Sequence, residues 1–256
     1  MRLAFSSVQA VESYLEKSQT ILFGLGSIEN HGRHMPLGTD TLIPDKIIDL
    51  LEEKSDVLIA PTLPYGAADS LAAFTGTVSL GVIGLYDLLC RVCDSLYEHG
   101  FRKFVIVNGH GGNAKSLEML GQRLYKKGAY LAVLNWWLMA GELRPEWAGG
   151  HGGAEETAGV MAVNPDLIVK EKLHDPLIMT ADIAENMPST GWDKVEFRGA
   201  SVIIPRPVKV YNKNGWYGED KPFEASEAWG REMVQTMADY IAEFLPEFEK
   251  VALPKP

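Results

Sequence analysis

The sequence predicts an α/β domain with a largely parallel sheet. Two observations carry this expectation. Short apolar runs alternate with helical spacings through the first 135 residues, the order that builds strand–helix–strand units rather than hairpins. Polar, glycine-rich or aromatic clusters also follow three of these runs directly, and open parallel sheets bind ligands beyond the carboxyl ends of their strands.

Residues 8–17 have helical spacing, with Val11, Tyr14 and Leu15 on one side. A buried strand follows over 20–25 and runs into a loop that sets Glu29, His31, His34 and Asp40 among glycines and Pro36. Residues 41–51 predict a helix with Pro44 in its first turn, where a missing N–H is tolerated. A second short strand lies at 57–60. The loop 61–77 ends in Phe74-Thr75-Gly76-Thr77, and a loop of that length in a compact domain is often functional. The helix over 83–99 stops at Gly100, a C-cap glycine. The strand 103–107 leads straight into Asn108-Gly109-His110-Gly111-Gly112-Asn113. Leu117, Leu120 and Leu124 against Lys115, Glu118, Arg123 and Lys127 make an amphipathic helix over 114–127. A fourth strand, 130–134, ends at Asn135-Trp136-Trp137.

The second half starts with a glycine loop around His151 that enters a helix with Glu155 and Glu156 in its first turn. A polar stretch to about 194 precedes an expected hairpin, 201–204 with 208–211, turning at Pro205-Arg206-Pro207. The last helix is expected over 224–245, ending before Pro246. No repeat, low-complexity tract or linker interrupts the chain, so residues 1–256 read as one domain.

Composition narrows the function classes. With 46% hydrophobic and 23% charged residues the chain can bury a sizeable core. A net charge of -10 argues against nucleic acid or an anionic membrane as the main partner and does not itself identify a substrate; a small-molecule substrate is the expected partner. The N-terminus lacks the apolar core of a signal peptide, and no apolar run is long enough for a bilayer, so a cytoplasmic protein is expected. Cys90 and Cys93 form a C-x-x-C, but they lie inside a helical pattern among leucines, so they read as core residues rather than a redox or zinc pair.

The chemistry lies at the strand ends. Glu29, His31 and Asp40 follow the first strand and His110 the third, while His151, Glu155 and Glu156 follow the fourth. Mixed carboxylate and imidazole ligands suit zinc, manganese or iron(II), and two metals can share one carboxylate. Each residue also has a plainer reading: Glu29 could pair with Arg33, His110 could bond backbone, and Glu155 and Glu156 could be ordinary first-turn acids. His34, His99 and His174 are not expected to be ligands.

Gly26-Ser27-Ile28-Glu29-Asn30-His31-Gly32-Arg33-His34-Met35-Pro36-Leu37-Gly38-Thr39-Asp40 resembles the signature loop of the creatininase (creatinine amidohydrolase) family. Asn108 to Asn113 is similar to its second motif and His151 to Thr157 to its third. Gly218-Glu219-Asp220, Ala225-Ser226 and Gly230 fit a C-terminal pattern loosely. The resemblance implies a three-layer α/β/α domain, often hexameric, holding two divalent metal ions, zinc first and manganese or iron as alternatives. It implies Glu29, Asp40 and His110 as ligands of one ion and His31, Asp40 and Glu156 as ligands of the other. Glu156 is preferred to Glu155 because it stands five residues after His151, and because Gly112 occupies the position of a ligating glutamate in creatininase proper. His151 matches the proton shuttle.

Substrate contacts implied in the same way are Trp137 and Trp147, joined by Trp136, Gly111 and Ser70 in the expected pocket. Gly111 stands where creatininase has a tyrosine, Ala148 replaces an acid, and Ser70-Leu71 replaces a common Glu-His. The leading expectation is therefore hydrolysis of a small cyclic or linear amide by metal-activated water, in an enzyme other than creatininase itself. A keto-inositol or other sugar-derived ring is the alternative substrate, and a non-catalytic metal-binding protein the third reading.

Overall fold

Four strands form one parallel sheet, and each is placed by the burial of its residues. β1 (Thr20–Leu25) and β3 (Lys103–Asn108) are buried along their whole length, as strands covered on both faces must be. β2 (Leu58–Ile59) and β4 (Tyr130–Asn135) flank them in the order β2-β1-β3-β4. Thr20 pairs with Lys103 and Lys103 with Tyr130, so β1, β3 and β4 end level at Leu25, Asn108 and Asn135. The computed structural model describes every residue except Ala181, Glu219 and Pro256. Glu219, one of the positions compared with the C-terminal pattern above, thus lies outside the described residues.

Successive strand residues point to opposite faces. Ile21, Phe23, Leu25, Phe104 and Ile106 pack on α3 (Gly81–Glu98) and α4 (Ala114–Lys126) through Leu85, Leu89, Leu117 and Leu120. Leu22, Val105 and Val107 pack the other way, on Ile43 and Ile47 of α2 (Thr39–Glu52) and Met233 and Met237 of α7 (Glu227–Glu249). Two cores on either side of one sheet make the three-layer α/β/α sandwich. α1 (Val8–Leu15) is capped by the Ser7 side chain, which accepts from Ala10 N–H. α5 (Trp136–Leu143) follows β4 directly, and α6 (Ala154–Val163) packs on α7. That crossing is tight: a Cβ on Gly230 would overlap the Ala158 carbonyl oxygen. No described helix is long and apolar enough to cross a membrane.

Three boundaries differ from the sequence reading. α2 begins at Thr39, so Pro44 falls in its second turn rather than its first. Lacking an N–H, Pro44 leaves the Asp40 carbonyl without its helical donor. The hairpin is β5 (Lys194–Phe197) with β6 (Ala200–Ile203), not 201–204 with 208–211. Its turn is Arg198-Gly199, both with positive φ (51° and 77°), which suits the right-handed twist of a two-residue hairpin. Pro205 and Pro207 cannot donate to a ladder, and 208–210 is a short 3-10 turn. α7 continues through Pro246 to Glu249. Phe244 and Phe248 pack against the core there, and the Glu249 carbonyl accepts Lys103 Nζ, so packing and a terminal cap outweigh one lost helical bond. Cys90 is half-buried and Cys93 buried within α3, with burial pushing the Cys93 thiol up to about 12.

Candidate metal centre

The chain turns from β1 to β2 on one side and onward to β3 on the other, so a crevice opens beyond the ends of β1 and β3, the switch point of the sheet. Both principal loops end there. After β1, Glu29 N–H bonds Leu37 O at 2.9 Å, closing the loop, and α2 starts at once with Asp40 in its first turn. After β3, two asparagines tie the loops together. Asn108 Nδ2 donates to His110 O (2.9 Å) and to Asn135 Oδ1 (2.8 Å). Asn113 Nδ2 donates to Gly26 O (3.2 Å) and Asn108 Oδ1 (3.0 Å), and its Oδ1 accepts Ala67 N–H (2.9 Å). The ends of β1, β3 and β4 and the 61–77 loop are thereby fixed to one another.

Glu29, His31, Asp40, His110, His151 and Glu156 come together in this crevice. His31 Nε2 lies 2.8 Å from Asp40 Oδ1 and 3.7 Å from Glu156 Oε2. His110 Nδ1 lies 3.1 Å from Asp40 Oδ2, and its Nε2 lies 3.1 Å from Glu29 Oε2. His151 Nδ1 stands 3.9 Å from Glu29 Oε1. Three sets have ligand atoms within 4.8 Å of one another: Glu29, Asp40 and His110; His31, Asp40 and Glu156; and Glu29, His31 and His151. Glu29 Oε1, His31 Nε2 and Asp40 Oδ2 are buried without a hydrogen-bond partner. Buried polar atoms normally have partners. Orphaned carboxylate oxygens beside an orphaned imidazole nitrogen are the donor chemistry that fits a divalent cation.

Hydrogen bonds orient the rings. His31 Nδ1 is 3.1 Å from the Glu29 carbonyl, to which it can only donate, so Nε2 faces the cluster. His151 Nε2 likewise donates to the Asn30 carbonyl at 2.8 Å, leaving Nδ1 to carry the lone pair. Thr157 gives its hydroxyl proton to Gly153 O, so at His34 Nε2 (3.2 Å) it accepts; His34 supports the chain beside Glu156 instead of joining the cluster.

Charge follows geometry. Burial opposes the charged form of His31, but Asp40 and Glu156 outweigh it and hold the ring at about 10. Burial also opposes a charged His110, and Glu29 and Asp40 again raise it well above the ordinary value. Burial would raise Asp40, yet the charges of His31 and His110 hold it below the carboxylate range. Burial, then the neighbouring His31 charge, lowers His151 to about 3 and His34 to about 4. Burial lifts Glu156 to about 7, and burial with the charges of Glu156 and Asp220 lifts Glu155 to about 9.

The cluster floors a cavity of about 660 Å³. Gly111, Ser70 and Trp137 line it. Trp136 and Trp147 do not: they are 1% and 4% exposed and belong to the core on the α2–α7 face. The correction is geometric. α5 begins at Trp136, so adjacent residues diverge by about 100° and only Trp137 turns outward. Trp147 is drawn inward, with the Arg144 guanidinium 4.4 Å above its ring. The sequence reading missed Asn30, whose signal would have been its place between Glu29 and His31. It also missed Tyr217, Trp192 and Lys115 in the cavity wall. Tyr217 stands beside the loosely matched Gly218; nothing local marks Trp192.

Buried carboxylates and imidazoles at this point of a parallel sheet define an α/β protein with candidate ligands for divalent metal. Within that class the chain belongs to the creatininase family: residues 4–245 match the family described as creatinine amidohydrolase. The mycofactocin precursor peptide peptidase of Mycolicibacterium smegmatis is 34% identical over 176 residues, 66% of either chain. That of Mycobacterium ulcerans is 30% identical over 231 residues, 86% of this chain and 82% of the relative. The creatinine amidohydrolase of Pseudomonas putida is 28% identical over 177 residues, 60% of this chain and 68% of its own. Among solved structures, a creatininase superposes with a TM-score of 0.74 at 22% identity, covering 98% of both chains. A manganese creatininase (TM-score 0.73) and a zinc–zinc variant (0.72) share the fold at 22% identity, each across 98% of this chain and 99% and 98% of its own.

Proposed function

We propose that this chain is a dinuclear-metal-dependent hydrolase of amide bonds, with residues 1–256 acting as one domain. The observation that supports it most is the pair of ligand sets that share Asp40, with orphaned atoms in each and His151 alongside. Glu29, Asp40 and His110 would hold one ion and His31, Asp40 and Glu156 the other. The donors suit zinc, and the manganese and zinc–zinc creatininases of the same fold support either metal. When bound, such ions polarise a carbonyl and lower the pKa of water.

The chain's own residues supply the rest. His151, neutral and with its Nε2–H held by Asn30 O, takes at Nδ1 a proton from the water that adds to the amide carbonyl, and passes it to the nitrogen as the C–N bond breaks. Tyr217 stacks on its ring at 4.8 Å and shields it from solvent. Glu155 lines the same cavity, where burial and the neighbouring charges of Glu156 and Asp220 raise its carboxyl above the usual range.

The cavity lies in the range of about 300–1,000 Å³ that holds drug-sized ligands, more than one small ring needs. Lys115 is the only lysine or arginine among its described lining residues. A linear, peptide-like amide therefore fits better than creatinine, in keeping with the names of the mycobacterial relatives. A homo-oligomer is part of the same reading, supported by membership of the family, and a monomeric mass in light scattering would overturn it.

The test is a panel of creatinine, N-formyl amino acids, short peptides and a cyclic ketose, run on native, chelator-stripped and zinc- or manganese-restored protein. Amide hydrolysis should vanish on stripping and return with metal. Native protein without bound divalent ion, or turnover of the ketose alone, would overturn the reading. His151→Ala should keep the parent metal content and lose about 100-fold or more in kcat; unchanged turnover would remove His151 from the chemistry.

A further inference from the structure

His151 sits in Gly149-Gly150-His151-Gly152-Gly153, where four of five residues are glycine. Such a segment has more backbone freedom than any other composition would give it. Only Gly152 has a positive φ, 71°, so backbone conformation explains one glycine of the four. Something outside the loop must fix the ring, and something other than torsion must require the remaining small residues.

Both are supplied by Tyr217, Gly218 and Asp220. Asp220 Oδ1 accepts Gly150 N–H at 2.9 Å, and Oδ2 accepts Glu155 N–H at 2.8 Å. One carboxylate thus pins the loop on both sides of His151. Between those points, the N–H groups of Tyr217 and Gly218 both donate to the His151 carbonyl, at 2.9 and 3.0 Å. The Tyr217 ring stacks on the imidazole at 30°. The glycines make room for the carboxylate: a Cβ on Gly149 would come 2.7 Å from Asp220 Oδ2, one on Gly218 would come 2.6 Å from Oδ1, and one on Gly153 would overlap the carboxyl group. Gly153, the N-cap of α6, has no side chain to cap it, and Asp220 bonds a first-turn N–H in its place.

We propose that Asp220 is a positioning residue for His151, clamping the glycine loop so that Nδ1 stays aimed at the Glu29–His31 side of the centre. This rests on the reading of His151 as proton carrier. The His151 ring keeps its hydrogen bond to Asn30 O only while the loop is held, and a misplacement of about 1 Å at a reacting group costs on the order of 100-fold in rate. A carboxylate with both oxygens on backbone N–H groups is a strong fixed point, because charge-assisted bonds are about twice as strong as neutral ones. Asn can keep one of the two bonds, through its Oδ1, and lose the other.

The experiment compares Asp220→Asn and Asp220→Ala with the parent, full-length and zinc-loaded. Zinc content, melting temperature, kcat and KM are measured on whichever panel amide the parent hydrolyses. Histidine ring N–H signals are recorded by proton–nitrogen NMR, with His151 assigned by its absence from the His151→Ala spectrum. Asp220→Ala should keep the parent zinc content and a KM within about twofold, while kcat falls roughly 10–100-fold. Asp220→Asn should recover part of kcat. The His151 Nε2–H signal should broaden or shift in the Ala variant and less so in Asn. If Asp220→Ala does not fold, the Asn variant carries the test alone through a reduced kcat and a perturbed His151 signal. A lowered melting temperature with kcat and the His151 signal unchanged would mean that Asp220 only caps α6, and would overturn the proposal. The NMR arm holds even if no amide is hydrolysed, so failure of the function reading and failure of this one are distinguishable.

Discussion

Asp40→Asn should give a folded protein that holds less than the parent complement of metal and turns over substrate at least about 100-fold more slowly. A residue that merely orients a ligand costs roughly 10–100-fold when changed. Asp40 stands closer than that: it belongs to both ligand sets that would make up a two-metal centre, and its two oxygens point to His31 and His110 separately. The amide of Asn keeps the volume and removes the charge, so any loss is chargeable to ligation and not to packing. Metal per chain and kcat/KM measured together decide the matter. Parent metal content with kcat/KM within about threefold would show that Asp40 is not shared between two ions.

Gly109→Ala should damage the same centre through the backbone. A methyl group there would overlap the Asp40 carbonyl oxygen and come within 2.8 Å of Pro44 Cγ. That carbonyl is free to be approached because Pro44 has no N–H to bond it. Neither neighbour is the flexible end of a side chain, so the start of α2 must move away from the β3 loop. Overpacking of this kind costs about 1–3 kcal/mol, which lowers the melting temperature of a chain this size by roughly 2–12 °C. It also parts Asp40 from His110, so metal affinity should fall about 10–100-fold. Gly111→Ala is the matched control: its nearest neighbour would be Trp137 Cζ2 at 3.9 Å, so melting temperature and metal content should hold. Equal melting temperatures for parent and Gly109→Ala would remove the argument.

Much of this was legible in the chain because it depends on local pattern. The strands at 20–25 and 103–108 have apolar interiors, and the segments that follow them hold Glu29, His31, Asp40 and His110. The five donors of the two ligand sets and His151 all meet in the structure. What escaped depends on which way a side chain points or on distant partners. Trp136 and Trp137 are indistinguishable as neighbours in sequence, and only the start of α5 sends one inward. The hairpin was misplaced because 201–204 and 208–211 have the better β-formers, whereas Arg198-Gly199 supplies the turn. Asp220 and Tyr217 reach the loop from about 65 residues away, a relation no local periodicity encodes.

The candidate donors and the wall of the cavity come from different pieces of chain. The members of the ligand sets sit in the loops that follow β1 and β3, in the first turn of α2, and in the glycine loop and first turn of α6. Trp192, by contrast, belongs to a stretch held by Arg206, which donates from Nε to the Trp192 carbonyl at 3.0 Å and from Nη2 to Gly191 O at 2.9 Å. The described residues of 174–211 supply no donor to any of the three sets. On the function proposed above, substitutions in that stretch would reshape the Trp192 side of the cavity and leave the ligand sets in place.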